Sequence, residues 1–207
     1  MIFEWLPVGP MGANCYILGC EKTKAGAIID PGAEPKRILA KVAELGLKVE
    51  YIIMTHGHID HIMALGEVKE ATSAKIVIHK SDAPMLTDGR KNLSSFMGGN
   101  LSYPPADELV KDGDVLRLGE LELKILHTPG HTTGGICIEV GDILISGDTL
   151  FECSVGRSDF PGGSHSTLIN SINTKLMVYP DETKVFPGHG PGTTIGYERK
   201  NNPFLRM

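Results

Sequence analysis

Between Thr55 and His61 the chain reads Thr-His-Gly-His-Ile-Asp-His, so three histidines and a carboxylate crowd into one short stretch. Imidazole nitrogen and carboxylate oxygen at this density are the donors that a divalent first-row ion takes. In an extended or turn segment, positions two apart face the same way, so His56 and His58 can reach one ion. Asp60 and His61 point elsewhere, toward a second. The competing explanation is a polar loop, or a His/Asp network that caps the following helix. Three later residues complete a ligand set: His131 in His127-Thr-Pro-Gly-His-Thr132, Asp148 in Ser146-Gly-Asp-Thr149, and His189 in Phe186-Pro-Gly-His-Gly190. Each lies beside glycine at the end of an apolar run. Singly, each reads as a turn histidine or an Asx-turn aspartate; as a set they point to metal.

Two divalent ions about 3.5 to 4 Å apart can share a water, lower its pKa toward neutrality and present hydroxide to a carbonyl carbon. One ion also polarises the carbonyl oxygen, so no serine or cysteine nucleophile is required. That is the chemistry of an acyl hydrolase, and a thioester suits it because thiolate leaves without a strong acid. Donors without thiolate fit zinc foremost, and iron or manganese as well.

The elements that must hold these residues are strands that end in turns. The apolar run Val49 to Met54 leads directly into the histidines. Ile2 to Val8 and Asn14 to Leu18 read as a hairpin, and Ala25 to Asp30 as a strand that Pro31-Gly32 stops. Asp30 then stands at a strand end, where it either accepts a histidine ring N–H and fixes its tautomer or simply initiates a turn. Periodicity predicts helices over Glu34 to Leu45, Asp60 to Glu70, Ser166 to Met177 and Thr194 to Asn201, with strands at Lys75 to His79 and Lys184 to Phe186. Val115 to Leu118, Leu121 to Leu126, Gly135 to Val140 and Asp142 to Ser146 are closely spaced strands, as in a meander. The class is α/β. Pro84 to Pro105 carries prolines, glycines and scattered polar residues, and reads as a mostly irregular insertion, either a lid or a passive crossover.

With 207 residues, 41% hydrophobic and 22% charged, the chain can build one well-buried core, and one domain is expected. No apolar run approaches a bilayer span, and Met1 to Leu18 holds Glu4, Pro7 and Asn14 where a signal peptide needs a cationic start and an apolar stretch. A cytoplasmic protein is therefore expected, with no membrane partner. The net charge of -5 and the thin spread of Lys and Arg argue against nucleic acid. Cys15, Cys20, Cys137 and Cys153 form no Cys-x-x-Cys pair and read as reduced, mostly buried thiols. His79, His127 and His165 read as strand-end or cap residues outside the ligand set. Arg157 and Asp159 either form a pair that positions an anionic substrate end or an ordinary surface ion pair. Tyr103, with Arg90 and Lys91, is a substrate-contact candidate from the insertion without a spacing argument. Nothing in the pattern fixes an oligomeric state.

Four segments, in this order, carry a family resemblance: Thr55-His-Gly-His-Ile-Asp-His61, Thr128-Pro-Gly-His-Thr132, Gly147-Asp-Thr-Leu-Phe151 and Pro187-Gly-His-Gly190. The chain resembles the metallo-β-lactamase-fold hydrolases, and within them the single-domain glyoxalase II-like (hydroxyacylglutathione hydrolase-like) thioesterases. The resemblance implies a four-layer αββα sandwich with the metals along one edge. It also implies that His56, His58 and His131 hold one ion, that Asp60, His61 and His189 hold the other, and that Asp148 bridges, with Asp60 and Asp148 serving the catalytic step. The small-molecule substrate it implies is an S-lactoyl-thiol. Full-length glyoxalase II enzymes carry a further helical domain with cationic contacts to glutathione; here a single domain over 1–207 is expected, without that addition. Gly156-Arg-Ser-Asp-Phe160 also resembles the persulfide dioxygenases, mononuclear iron oxygenases on the same fold. Lactone or phosphodiester hydrolysis and a non-catalytic binder are the remaining alternatives.

Overall fold

The computed structural model describes residues 1–205, so the last two positions of the expected 1–207 span lie outside it. The first half supplies β1 (Ile2–Val8), β2 (Ala13–Gly19), β3 (Ala25–Ile29), β4 (Lys48–Ile53), β5 (Lys75–His79) and β6 (Glu108–Val110). They form one sheet in chain order. β1 to β3 pair antiparallel, and β3 to β6 run parallel. Parallel neighbours need a crossover. Between β3 and β4 it is α1 (Pro35–Glu44); between β4 and β5 it is α2 (Ile59–Ile62) with α3 (Leu65–Thr72); α4 (Ala83–Thr87) follows β5.

The second half gives β7 (Val115–Leu118), β8 (Leu121–His127), β9 (Ile136–Val140) and β10 (Ile143–Gly147), the expected meander. A small hairpin of β11 (Leu150–Phe151) and β12 (Ser154–Val155) and the helix α5 (His165–Ser171) then lead to β13 (Lys184–Pro187), which lies parallel beside β10. β14 (Thr193–Thr194) and α6 (Ile195–Asn201) follow, and the second sheet runs β14-β13-β10-β9-β8-β7.

Successive strand residues face opposite sides of a sheet, and here both sides are buried. Ile52, Ile76 and Ile78 pack under α1 and α3 with Ile38, Val42, Leu65 and Val68. Their neighbours Ile53 and Val77 point into the space between the sheets, against Ile125, Ile138 and Ile145. Leu144, between Ile143 and Ile145, faces outward onto Leu168, Ile172 and Ile195. Three apolar layers therefore separate helices, sheet, sheet and helices, the αββα sandwich. Double burial is why β5 and β10 read as nearly continuous apolar runs.

The expected helix over Asp60 to Glu70 is two pieces, because Ala64 N–H turns aside to donate to Pro31 O at 2.9 Å and α3 begins anew. The expected helix over Ser166 to Met177 is α5 followed by a π-turn over Ile172–Leu176, closed by Met177 N–H to Ile172 O at 2.9 Å. The segment Pro84 to Pro105 is more ordered than expected. It holds most of α4, which opens with Pro84 in its first turn, and a 3-10 turn at Ser94–Met97.

Candidate metal centre

Every candidate ligand leaves the end of a strand. His56, His58, Asp60 and His61 follow β4, His131 follows β8, Asp148 follows β10 and His189 follows β13. The first group hangs from one sheet and the others from its partner, so the cluster straddles the seam. Backbone bonds pin that seam: Ile136 N–H donates to Thr55 O at 2.9 Å, and Asn14 N–H to Gly188 O at 2.7 Å. The buried Asn14 amide also donates to Pro187 O and Gly190 O at 2.9 Å each, fixing the loop that carries His189. Gly188 lets this loop pass, since a Cβ there would overlap Asp148 Oδ1 and meet His61 Cε1 at 2.8 Å.

Most of the imidazoles have one ring nitrogen committed to the protein. His61 Nδ1–H donates to Asp30 Oδ2 at 3.0 Å, His131 Nδ1–H to Arg157 O at 2.6 Å, and His189 Nδ1–H to Met11 O at 3.1 Å. Thr55 Oγ1–H donates to Asp30 Oδ2 at 2.6 Å, which leaves Thr55 Oγ1 to accept from His56 Nδ1 at 3.2 Å. These acceptors take the Nδ1 protons and turn Nε2 of His56, His61, His131 and His189 inward, where each offers a lone pair to a cation that displaces any proton held there. His56 Nε2 is buried without a hydrogen-bond partner, and so is Asp148 Oδ1. His58 Nδ1 faces His131 Nε2 at 2.9 Å, and His61 Nε2 faces His189 Nε2 at 3.2 Å. Converging lone pairs and orphaned polar atoms in a buried place are costly unless a cation lies among them. The donor set therefore fits a metal.

Among the described residues, His56, His58 and His131 bring ligand atoms within 4.8 Å of one another, and so do Asp60, His61 and His189. A third grouping, Asp30 with His56 and His61, is equally close. Asp30 is already spent, accepting from Thr55 N–H at 2.7 Å as well as from Thr55 Oγ1 and His61. It stands behind the histidines, with its backbone in the left-handed region that Asp tolerates (φ 52°). Asp148 turns Oδ1 toward His61 Nε2 (3.4 Å) and Oδ2 toward His131 Nε2 (3.5 Å), one oxygen toward each main group.

Charge differs between the groups. Burial, with the neighbouring imidazoles adding to it, holds His58 down at about 3 and His56 well below the usual histidine range. At His61 burial also opposes charge, but Asp148, Asp60 and Asp30 override it and lift the ring to about 10. His189 is raised as well, burial being outweighed by Asp60 and Asp148. Asp60 lies below the usual carboxylate range, its burial outweighed by His61 and His189. One group is a nest of neutral rings, and the other carries an excess of carboxylate that draws in positive charge.

Sequence reasoning missed Asp82. Fully buried, it accepts from Thr132 Oγ1–H and Gly134 N–H at 2.6 Å each, and from Gly57 N–H. Gly57 separates His56 from His58, and Thr132 follows His131, so one carboxylate ties together both loops of the neutral group. Gly134 packs so tightly that a Cβ would sit 2.7 Å from Asp82 Oδ1. In sequence, Asp82 just before a helix opened by Ala83-Pro84 reads as an ordinary N-cap. Its side chain makes no cap bond, because it is used here.

A cavity of about 460 Å³ opens over the cluster, with His58, Asp60, His131, Asp148 and His189 in its lining. Its walls are Met11, Ile59, Leu93, Phe96, Phe151 and Phe160, and Arg157 is its cation. Arg157 Nε and Nη2 donate to Asp159 at 2.9 and 2.8 Å, and the guanidinium lies 4.1 Å from the Phe160 ring centre. Asp159 thus touches the site through Arg157. Tyr103 is not brought there: it packs half-buried against the helix-side core, and burial raises its hydroxyl pKa. Arg90 and Lys91 line a separate cavity. His79 and His127 stack 4.0 Å apart at the ends of β5 and β8, and His165 opens α5. The four cysteines are free thiols, and none lines the cavity. No helix among the described residues is long and apolar enough to cross a membrane.

The family profile described as the Metallo-beta-lactamase superfamily matches residues 8–189. Hydroxyacylglutathione hydrolase GloC of Haemophilus influenzae is 35% identical, over 99% of this chain and 98% of its own. Among solved structures, BLEG-1 B3 metallo-beta-lactamase superposes with a TM-score of 0.95 at 36% identity, covering 100% of both chains. ETHE1 from Myxococcus xanthus gives 0.85 at 35% identity, covering 98% of this chain and 84% of its own. TTHA1623 in a di-iron-bound form gives 0.87 at 35% identity, over 98% and 100%.

Proposed function

The chain belongs to the metallo-beta-lactamase superfamily, a metal-dependent hydrolase by that membership, and on this premise we propose that it hydrolyses small thioesters of the S-lactoyl-thiol kind. The observation that carries the reading is the paired His/Asp cluster lining a cavity that offers no serine, cysteine or lysine nucleophile among its lining residues. His56, His58 and His131 would hold one divalent ion and Asp60, His61 and His189 another, with Asp148 between them; zinc is foremost, and the di-iron form of TTHA1623 makes iron a fair competitor. Such ions would supply Lewis acidity for activating water and polarising the acyl carbonyl. The chain's own part is to place and shelter the reactants. Asp60 faces the cavity and stays ionised at working pH, so it orients water as an acceptor. Asp30, Thr55, Arg157 O and Met11 O hold the rings in the tautomers that leave their inner nitrogens free. The apolar walls exclude bulk water. A leaving thiolate needs no proton donor, and apart from Arg157 the walls supply none.

One specific observation favours a second reading, oxygenation of a persulfide at a single iron. Gly156-Arg-Ser-Asp-Phe160 presents Arg157 to the cavity, and ETHE1 from Myxococcus xanthus has the same fold at 35% identity. The second His/Asp grouping speaks for two ions instead. The deciding experiment uses protein purified without chelator, analysed for metal and assayed on S-lactoylglutathione, simpler thioesters and a β-lactam. Thioester turnover with two metal equivalents is expected. No turnover on any thioester overturns the proposal, and one tightly held iron with thiol-dependent oxygen uptake puts the second reading in its place.

A further inference from the structure

The cavity is larger than the acyl group it would process. Liquid water fills about 30 Å³ per molecule, so the space corresponds to roughly fifteen water-sized groups, of which a lactoyl unit takes about a third. The remainder belongs to the carrier of the leaving sulfur. Its chemistry can be read from the walls.

Away from the ions the apolar walls hold no spare positive charge. Arg157 is the cavity's cation, and its guanidinium is doubly bonded to Asp159 and stacked on Phe160. Asp60 and Asp148, also in the lining, are the carboxylates that would offset the ions' own charge. Arg90, already within 3.5 Å of Asp88, lines a different cavity together with Lys91. A carboxylate drawn against this side of the cavity, out of reach of the ions, would lose its hydration without gaining a partner, which is costly. Methylene groups meet no such penalty against Met11, Leu93, Phe96 and Phe151, and an amide whose polar edge keeps to the open mouth loses far less than a buried carboxylate.

Phe96 adds a second observation. It lines the cavity yet is 77% exposed. The turn that presents it is not slack. Ser94 N–H donates to the buried Asn92 Oδ1 at 3.0 Å, the Asn92 amide donates to Leu101 O at 3.0 Å, and Leu101 N–H donates to Ser94 Oγ at 2.9 Å. Ile59 N–H, next to Asp60, donates to Asn92 O at 2.9 Å. Between Asn92 and Ser94, Leu93 is held at φ 70°, a conformation a branched side chain rarely adopts. A braced turn with a strained residue thus holds a large aromatic open to solvent at the cavity's edge, a ring surface without a protein partner.

We propose that this cavity, with Phe96 as its outer wall, seats an uncharged arm of the leaving thiol, and that carboxylates or phosphates of the carrier stay outside in solvent. The inference deepens the thioester reading and rests on it. In the reaction, the oxygen of water bonds to the acyl carbon, the carbon–sulfur bond breaks, sulfur departs with the electron pair as thiolate, and the protons of the water pass to solvent as the acid product ionises, while the arm of the thiol lies along the apolar wall. Recognition then reaches only the atoms nearest sulfur, so a carrier cut short beyond them remains a substrate.

The test compares S-lactoylglutathione with S-lactoyl-N-acetylcysteamine, which is truncated and uncharged, at low and high salt, on metal-loaded wild type and Phe96→Ala. The two esters are expected to agree in kcat/KM within about tenfold, with KM insensitive to salt because no exposed ion pair is used. Phe96→Ala should cost about tenfold in kcat/KM on both, the loss falling on KM, with metal content and melting temperature unchanged. A truncated ester more than about a hundredfold poorer, with a salt-sensitive KM for glutathione, overturns the inference while leaving the thioester reading intact. So does a Phe96→Ala variant with unaltered KM. Hydrolysis of neither ester overturns the thioester reading and this inference with it.

Discussion

Asp30 and Asp82 perform parallel tasks from behind the cluster. The first fixes His61 directly and His56 through Thr55; the second joins the loops of His58 and His131. Asp82→Ala would strand several buried donors, and a loss on the order of 3 kcal/mol in stability is expected. It should also weaken the ion held by His56, His58 and His131 more than the other. Denaturant titration reads the first effect and stepwise chelator competition the second; equal weakening of both ions would show Asp82 to be a general fold contact. His61→Ala should remove one metal equivalent and most hydrolysis while the other ion stays, and metal analysis of the variant decides that division. The candidate ligands from His56 to His61 were legible because their chemistry is local, a donor followed by another donor two residues on, whereas His131, Asp148 and His189, each alone in its loop, stood out only as a set. Asp82 was not, because its partners come from two distant loops, and a carboxylate before a proline-opened helix looks like a cap.

At the scale of elements, the stacked pair His79 and His127 joins the end of β5 in one sheet to the end of β8 in the other. His79 Nδ1 accepts from Ser81 N–H at 3.2 Å, so protonation would break that bond. Burial, then His127 and Lys80, lower its pKa from 6.5 to about 4. An unfolded His79 takes its proton near 6.5 and the folded one only near 4, so between these values the unfolded chain binds more protons. Stability is therefore complete above that window and falls as the pH drops through it, by on the order of 2 kcal/mol. Denaturant midpoints at pH 7.5 and 5 should show a steeper decline for wild type than for His79→Gln; equal slopes would dismiss the pair as a source of the pH dependence. Elements of this kind were legible wherever burial on both faces left an apolar run, as in β5 or β10. The two-residue strands β11, β12 and β14 are too short to show alternation. The break between α2 and α3 depends on Pro31, thirty-three positions from Ala64 in sequence, and no local pattern carries it.

For the whole molecule, the main consequence is that metal and fold are linked. Each of the two main groupings draws its members from both sheets, so an ion bound there would resist their separation. An ion present at a hundred times its dissociation constant should add about 2.7 kcal/mol of stability, which chelation removes. Thermal unfolding with and without chelator measures this, and an unchanged midpoint would mean that the sheets are held together without the ions. The same straddling geometry has a meaning for synthesis. As the chain emerges from its N-terminus, His56 and His58 appear early, His131 and Asp148 come later, and His189 comes last of the set. Neither main grouping is complete from the first half alone. A nascent chain can offer an ion only fragments of a site, and full-strength capture, with whatever reactivity it brings, waits until both sheets exist and have closed on one another.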